Sequence, residues 1–536
     1  MLLFAVAVGK RVPSGGFKRL HACLRTSSSV TASSLLLMPP SLRDWPPEDH
    51  FAWTILGSVE EMDLSAFYAD YRSDGHGRPA DEPAMMVALL LYAYARGNRS
   101  SRAIERACAE DVAYRVIAAN RVPDHSTIAE FRVRHEQALA DLFVKVLQLC
   151  KEAGLVTVGV IAVDGTKVHA NASRFSSLDY EQLARKILEE AARIDREEDE
   201  LYGEARGDEL PEQLQTAEGR REALRAAKRR LAERTGQQDG TSGDALQAPV
   251  SPVALDPSVL AGLVEGRQRW LREARHLLDE HRRQQARPSP RSKVARLLEA
   301  ERRMQEELVV ERMANAAYER YRSQNRDKLG RRLSTPPKPY QPPQEPAGKI
   351  NVTDPDSRNV KTTRGWVQGY NAQAVVNENH IVIAAEVTVD SPDFGHLEPM
   401  IAAAERELEA IGITEKPGVA LADAGYWHQV QMQNIAARGI PVLVPPDASK
   451  RRDTRPGWNA GMYAFMRRVL GSELGQQLYR KRQALVEPGF ADLKFNRKVD
   501  RFQRRGRSAA GSEWRLLNAT QNLLKLHRHQ LALAGA

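Results

Sequence analysis

From residue 39 to 154 the apolar positions recur at helical spacing, in blocks separated by turn residues. Residues 82–96 are almost continuously apolar and stop at Gly97-Asn98, a helix-ending signal. Ser100 and Ser101 offer an N-cap for a helix through Ala109. After Asn120 and Pro123, Asp124 or Ser126 can cap one long helix that reaches Cys150 and is closed by Gly154. At Val156 the pattern changes. Residues 156–163 are a β-branched run, too short for a buried helix and suited to a core strand. A helical stretch rich in Arg, Glu, Leu and Ala follows from about 178 to 324, interrupted by a Gly/Ser/Pro segment at 236–258. Leu297, Met304 and Leu308 recur in it at coiled-coil-like intervals. This predicts a helical hairpin inserted into a host domain, with the Pro-rich run 336–343 as a stiff connector leading back. Strand patterns resume at 370–376 and 380–387, joined by a turn at Asn377-Glu378-Asn379. Short strands at 418–422 and 441–444 alternate with helices at 396–411 and 429–438. The expected fold class is mixed α/β, a sheet with helices on its faces preceded by an all-α unit.

Composition narrows this picture. A chain of 536 residues, 42% hydrophobic, is expected to form two or three domains. Its longest apolar run, 85–95, is about half of what a bilayer requires, so no membrane partner is expected. Residues 1–37 are Ser-rich, weakly basic and free of acids, and are expected to be a disordered extension or to lie upstream of a true start at Met38. The other expected units are a helical N-terminal domain at 38–154, a catalytic domain at 155–177 plus 346–526, and the insertion with its connector at 178–345. Three scattered cysteines (Cys23, Cys108, Cys150) exclude a disulfide framework and a cysteine-built metal site, and they fit a reducing, cytoplasmic compartment. The net charge of +9 favours a polyanionic partner. Arg99, Arg102, Arg106, Arg115 and Arg121 fit either a helix-turn-helix reader of DNA or, more simply, a solvated helix face. No phosphate-binding glycine loop stands at a strand end, so nucleotides have no evident site.

The candidate chemistry lies in three acids. Two strands run into an aspartate followed closely by glycine, Asp164-Gly165-Thr166-Lys167 and Asp423-Ala424-Gly425-Tyr426. An acid at the end of a buried strand is held rigidly at the sheet's edge, and the glycine leaves room for a ligand. The third acid is Glu487. Between Tyr479 and Arg507 there are ten Lys/Arg against three acids, so Glu487 stands among cations. Converging carboxylates repel by about 4 kcal/mol per pair at an effective dielectric of 20, so a clustered set implies a cation. Phosphodiester chemistry with two divalent ions uses such oxygen ligands, and Mg²⁺ or Mn²⁺ prefer them. The remaining candidates have simpler readings. Asp354 and Asp356 flank Pro355, and Asp390 and Asp393 surround Pro392, so both pairs read as turns. His169 and His428 read as packed or surface residues, and Trp366 and Trp427 as packing groups before base-stacking ones.

In order along the chain, the segments 163–172, Gly369-Tyr-Asn-Ala-Gln-Ala374, Ala422-Asp-Ala-Gly-Tyr426 and Tyr479/Arg482/Glu487/Lys494 resemble the DDE transposases of bacterial insertion sequences. The resemblance is to the branch with a Tyr-Arg-Glu-Lys signature, and residues 51–135, with Pro123-Asp-His-Ser-Thr127, resemble that family's N-terminal domain. It implies a ribonuclease-H-like catalytic domain carrying a long helical insertion. It also implies catalytic and metal-binding roles for Asp164, Asp423 and Glu487, with two Mg²⁺ ions (or Mn²⁺) as cofactors. The implied reaction is cleavage at the ends of an element and strand transfer into target double-stranded DNA, by a homodimer acting at the bacterial nucleoid. Tyr479, Lys481, Arg482, Lys494, Arg497, Lys498, Arg501, Arg504 and Arg505 are the expected DNA-binding residues. The alternatives are a related nuclease without strand transfer and a non-catalytic DNA-binding protein derived from a transposase. Two local departures stand out. Four residues, where the signature has three, separate Arg482 from Glu487, and Pro488 predicts a kink at Glu487 or a new helix starting at Pro488.

Overall fold

The structure, a computed structural model, describes residues 41, 44–69, 71, 80–202, 224–229, 231, 267–284, 290, 292–326, 331–332, 334–335, 338–362, 365–390, 392–447 and 459–535. Residues 1–37 and the Gly/Ser/Pro segment 236–258 lie outside the described residues. The described residues from 48 on form one compact unit; those before it, 41 and 44–47, belong to another, in which the Asp44 amide donates to the Ser41 carbonyl at 3.2 Å.

The larger unit begins with helices. α1 (Phe51–Glu61) packs on α2 (Pro83–Ala95), which is buried almost all round and starts with proline at its first position. α3 (Ser101–Glu110) and α4 (Val112–Ile117) follow, with Asp111 capping α4. The single long helix expected after Pro123 is two helices. Asp124 caps α5 (His125–Arg134), the chain turns at His135, and α6 (Glu136–Glu152) begins. His135 is 2% exposed, and its ring lies against Phe67, Tyr71 and Phe131. Filling that aromatic pocket holds the residue outside helical geometry (φ −103°, ψ 31°).

Six strands make the main sheet. β1 (Val160–His169) pairs antiparallel with β5 (Gly365–Asn377) and parallel with β7 (Val419–Ala422), which pairs parallel with β8 (Val442–Leu443). β5 also pairs antiparallel with β6 (Val382–Thr388) and with β4 (Arg358–Thr362). The strands thus run in the order β4-β5-β1-β7-β8, with β6 on β5. The hairpin between β5 and β6 turns at Asn377 to His380, where the His380 amide donates to the Asn377 carbonyl and His380 takes a φ of 60°. β4 was not expected. Only Val360 of its five residues is buried, so it carries almost no apolar signal.

Helices α10 (Leu397–Ala410) and α11 (Gln429–Ala437) flank the sheet, and α12 (Gly461–Gly471) leads into α13 (Glu473–Ala491). α13 runs unbroken through Pro488 and passes into a wider π-type turn at Asp492–Asn496, so the expected new helix at Pro488 does not occur. Proline leaves the Ala484 carbonyl without its helical donor, and exposed Ala484 allows water to satisfy it. The last helix, α14 (Arg507–Ala534), packs on α6, α2 and β6. Asn522 on it accepts from the Val382 amide (2.9 Å) and donates to the Val382 carbonyl (2.8 Å), replacing a strand neighbour there. One apolar core, from Phe51 to Leu526, runs through the helices and the sheet.

Between β1 and β5 the chain leaves the body. β2 (Ser177–Leu178) and β3 (Ile350–Asn351) pair as a short ribbon at the base of the excursion. Above it lie α7 (Tyr180–Tyr202), α8 (Arg267–Gln284) and α9 (Lys293–Gln324), with Leu297, Met304 and Leu308 buried as their spacing predicts. Among the described residues, no helix is long and apolar enough to cross a membrane.

Candidate active site

Parallel pairing of β1 and β7 ends with Val163 opposite Ala422, so Asp164 and Asp423 follow side by side at the point where β7 stops. Beyond that point β1 has no strand partner on this edge until His169, where residues 500–502 bridge to it, and a notch is left between. Asp164 accepts from its neighbouring Gly165 amide (2.8 Å) and from the Arg482 guanidinium (3.0 Å). Burial pushes the Asp164 carboxyl up to about 6; Arg482 opposes this, and the charges of Asp423 and Asp393 add to it. Asp423 accepts from the Gly425 amide at 2.9 Å, which fixes the turn that follows. Arg482 comes from α13 with Tyr479 one turn earlier, the guanidinium 6.0 Å from the phenol ring's centre.

A second cluster lies against the same strand. Asp393 Oδ1 accepts from Lys167 Nζ (3.0 Å), Asn371 Nδ2 (2.8 Å) and Gln373 Nε2 (2.8 Å). The register makes this possible, since Asn371 lies opposite Lys167 and Gln373 opposite Gly165. Tyr426, fully buried, donates its hydroxyl to Gln373 Oε1 and ties this cluster to the Asp423 turn. Gly165 has to be glycine here. A Cβ would lie 2.4 Å from Gln373 Nε2 and 2.8 Å from Asp393 Oδ1. Despite burial, Lys167 and the two amides hold the Asp393 carboxyl below its usual range. Asp393 does open a turn, its carbonyl accepting from the His396 amide at 3.2 Å, but its side chain also belongs to this cluster, whereas Asp390 is exposed and faces His396 at 3.4 Å. No spacing signals this, because a loop alone carries Asp393 to the strand.

Two family models match the chain: a transposase domain (DUF772) over residues 40–134 and a transposase DDE domain over residues 345–523. The chain belongs to the DDE transposases. No curated protein and no solved structure matches it. The DDE match includes Asp423 and Glu487, whereas Asp164 precedes it.

In this transposase Glu487 does not join the aspartate pair. It is exposed on α13 and accepts from Gln483 Nε2 at 3.0 Å, and the charges acting on Asp164 are those of Arg482, Asp423 and Asp393. Five residues past Arg482, it points about 140° around the helix from it. Among the described residues the one group of His, Cys, Asp and Glu with ligand atoms all within 4.8 Å is Glu105, Asp124 and His125, where Asp124 caps α5 and His125 pairs with Glu105 at 3.0 Å.

The expected DNA-binding residues divide. Tyr479, Arg482 and half-buried Lys494 are at the notch, Lys494 under the influence of Lys167 and Asp164. Lys481 pairs with Glu378 at 2.7 Å. Lys498 and Arg501 are exposed on the loop before α14. Arg504 pairs with Glu136, and Arg505 donates to the Asn171 carbonyl at 3.1 Å. Arg497 is not on the surface at all. Its side chain is 4% exposed and joins α13 to α14 through Asp492 (3.1 Å) and Thr520 (2.8 Å). Of the N-terminal arginines, Arg99 is likewise internal, ion-paired with Glu513 (2.9 Å) and donating to the Lys498 and Arg501 carbonyls. Trp427 packs in the core against Tyr463, while Trp366 is exposed. His428 caps α11.

The donor set at the notch fits a hard divalent cation. It offers carboxylate oxygens and neither thiol nor imidazole, and a cation would favour the charged form of Asp164 that burial, and then the charges of Asp423 and Asp393, disfavour.

Proposed function

We propose that the protein catalyses metal-dependent cleavage of double-stranded DNA at the ends of an element and transfers the freed strand into target DNA. The observation that carries this reading is the placement of Asp164, midway along β1, beside Asp423, just past the end of its parallel neighbour β7. The order of β6, β5, β1, β7 and β8, three antiparallel strands followed by two parallel ones, supports a ribonuclease-H-like catalytic domain. Asp164 and Asp423 are the residues that would hold Mg²⁺, or Mn²⁺, with Glu487 completing the set once α13 turns about its axis to bring it to the notch. Two such ions would supply charge neutralisation and Lewis acidity to the phosphodiester.

The chain's own groups prepare the site. Arg482 keeps Asp164 ionised near neutral pH against its burial, and the Gly165 amide fixes its orientation. Lys494 and the exposed Lys498 and Arg501 present positive charge for the DNA backbone. A dimer on DNA, working at the bacterial nucleoid, is part of the same reading.

The test is cleavage of a duplex carrying the sequences that flank this gene, with Mg²⁺ and with chelator. Asp164→Asn, Asp423→Asn and Glu487→Gln are each expected to lower cleavage by at least about 100-fold, the scale for losing one preorganised electrostatic contact, while retaining DNA binding. A variant that cleaves like wild type removes its residue from the set. Cleavage without joined products reassigns the protein as a nuclease.

A further inference from the structure

We propose that Tyr426, Gln373 and Asp393 are positioning residues for the metal site, forming a strut across the back of β1 that fixes Asp423 beside Asp164. This rests on the reading of those two aspartates as the metal-holding pair.

The register decides where the strut lies. Gly165, Lys167, Asn371 and Gln373 share one face of the sheet, because direct antiparallel partners point the same way. Side chains alternate along a strand, so Asp164 points to the other face. β5 and β7 flank β1 on opposite sides and are therefore about 9–10 Å apart, two strand spacings. The Tyr426 hydroxyl, from the turn after β7, donates to Gln373 Oε1 on β5, so these two side chains bridge that gap over β1. They can do so because the residue beneath them has no side chain: a Cβ on Gly165 would lie 2.4 Å from Gln373 Nε2. Gly165, read from the sequence as room for a ligand, here makes room for the strut.

Both ends are anchored. Tyr426 and Gln373 are fully buried; the Gln373 carbonyl accepts from the Trp514 indole at 2.9 Å, and its Nε2 donates to Asp393 Oδ1 at 2.8 Å. Asp393 Oδ1 also accepts from Lys167 (3.0 Å) and Asn371 (2.8 Å). Three donors on that oxygen suit an anchor and occupy it against binding a metal ion itself. At the other end the Tyr426 amide donates to the Asp423 carbonyl at 3.1 Å and the Gly425 amide to the Asp423 carboxylate at 2.9 Å. The turn that the strut pins is thus the one that orients Asp423. Gly425 also lies against Asp393, where a Cβ would be 3.7 Å from Asp393 Oδ2.

Partners that orient metal ligands govern affinity as well as geometry. The simpler alternative is a polar network that only adds stability, and Mn²⁺ binding separates the two. It is read from the loss of the free-ion electron paramagnetic resonance signal as Mn²⁺ is titrated into the full chain with the flanking-sequence duplex, and into the duplex alone. Tyr426→Phe, which removes one hydroxyl, and Asp393→Asn are each expected to weaken the protein's Mn²⁺ binding about tenfold, the low end for losing such a partner. Cleavage is expected to recover as Mn²⁺ is raised, because Asp164 and Asp423 remain. The double variant is expected to lose less than the two single losses combined, since both act through Gln373. Arg303→Met, which breaks an ion pair with Asp356 (3.2 Å) outside the strut, is expected to bind Mn²⁺ as wild type does. Variants that bind Mn²⁺ like wild type and only lower the urea midpoint overturn the proposal. So do fully additive losses, and so does an equal loss in Arg303→Met. Each of these leaves the aspartate pair standing if Asp164→Asn and Asp423→Asn do lose Mn²⁺. If those two bind it like wild type, the metal reading itself falls.

Discussion

Asp354 shows how differently neighbouring acids can be set by their surroundings. It is wholly buried, accepts from the Tyr370 hydroxyl at 2.7 Å, and its second oxygen has no hydrogen-bond partner among the described residues. Burial first, then the charge of Asp356, pushes its carboxyl up to about 6. A raised acid favours the protonated folded state, so its penalty is absent below about pH 4, grows through the interval, and is complete above about pH 6. Two pH units correspond to about 3 kcal/mol as an upper bound. Asp354→Asn is therefore expected to stabilise the protein by about 1–3 kcal/mol at pH 7.5, with the gain vanishing at pH 4, as read from urea midpoints. An equal gain at both pH values would assign the effect to something other than ionisation. At this scale the sequence discloses part of the site. Asp164 and Asp423 are visible because each ends a short apolar run and has a glycine one or two residues on. Asp393 is not, since what distinguishes it from Asp390 is the pair of amides waiting across the sheet, which only the register of β5 on β1 supplies.

Among elements, β1, β5 and β6 are legible from their apolar runs, and β4 is not, because it is mostly exposed. The break at His135 is hidden by a sequence that suits helix on both sides, and it arises from an aromatic pocket contributed by Phe67 and Tyr71. The insertion adds a charged joint that no local pattern announces. Arg303 on α9 reaches Asp356 (3.2 Å) just before β4 and pairs with Glu299 at 2.7 Å; Arg358 on β4 faces Glu307 at 3.5 Å. Although half-buried, Asp356 is held down at about 2 by Arg303, the Arg507 amide and further arginines. Removing one member of this half-buried set leaves its partners partly uncompensated. Arg303→Met is expected to cost about 1–3 kcal/mol in urea unfolding and to speed proteolysis within α9 relative to the sheet. Unchanged cleavage of α9 would show that this joint does not hold the insertion to the body.

For the whole molecule, the excess of positive charge matters by where it lies. Arg99 and Arg497 are inside, and the Arg99 side chain binds the carbonyls of Lys498 and Arg501, so a buried cation shapes the loop that displays two exposed ones. A sequence count of basic residues cannot distinguish those two duties. Replacing both Lys498 and Arg501 by Glu is expected to weaken DNA binding and to lower the slope of log affinity against log salt by about 2, as each lost phosphate contact removes roughly one released counterion. An unaltered slope would place the DNA elsewhere.

The ribbon of β2 and β3 has a consequence for how such a chain can change over generations. By bringing the two ends of the insertion side by side, it returns the chain to the place it left, so the excursion adds residues without adding distance. The spacing of Asp164 and Asp423 is then indifferent to what happens above the ribbon. Closing a loop of twice the length costs only about 0.6 kcal/mol more. The insertion is thereby free to grow, shrink or be exchanged while the two aspartates keep their places.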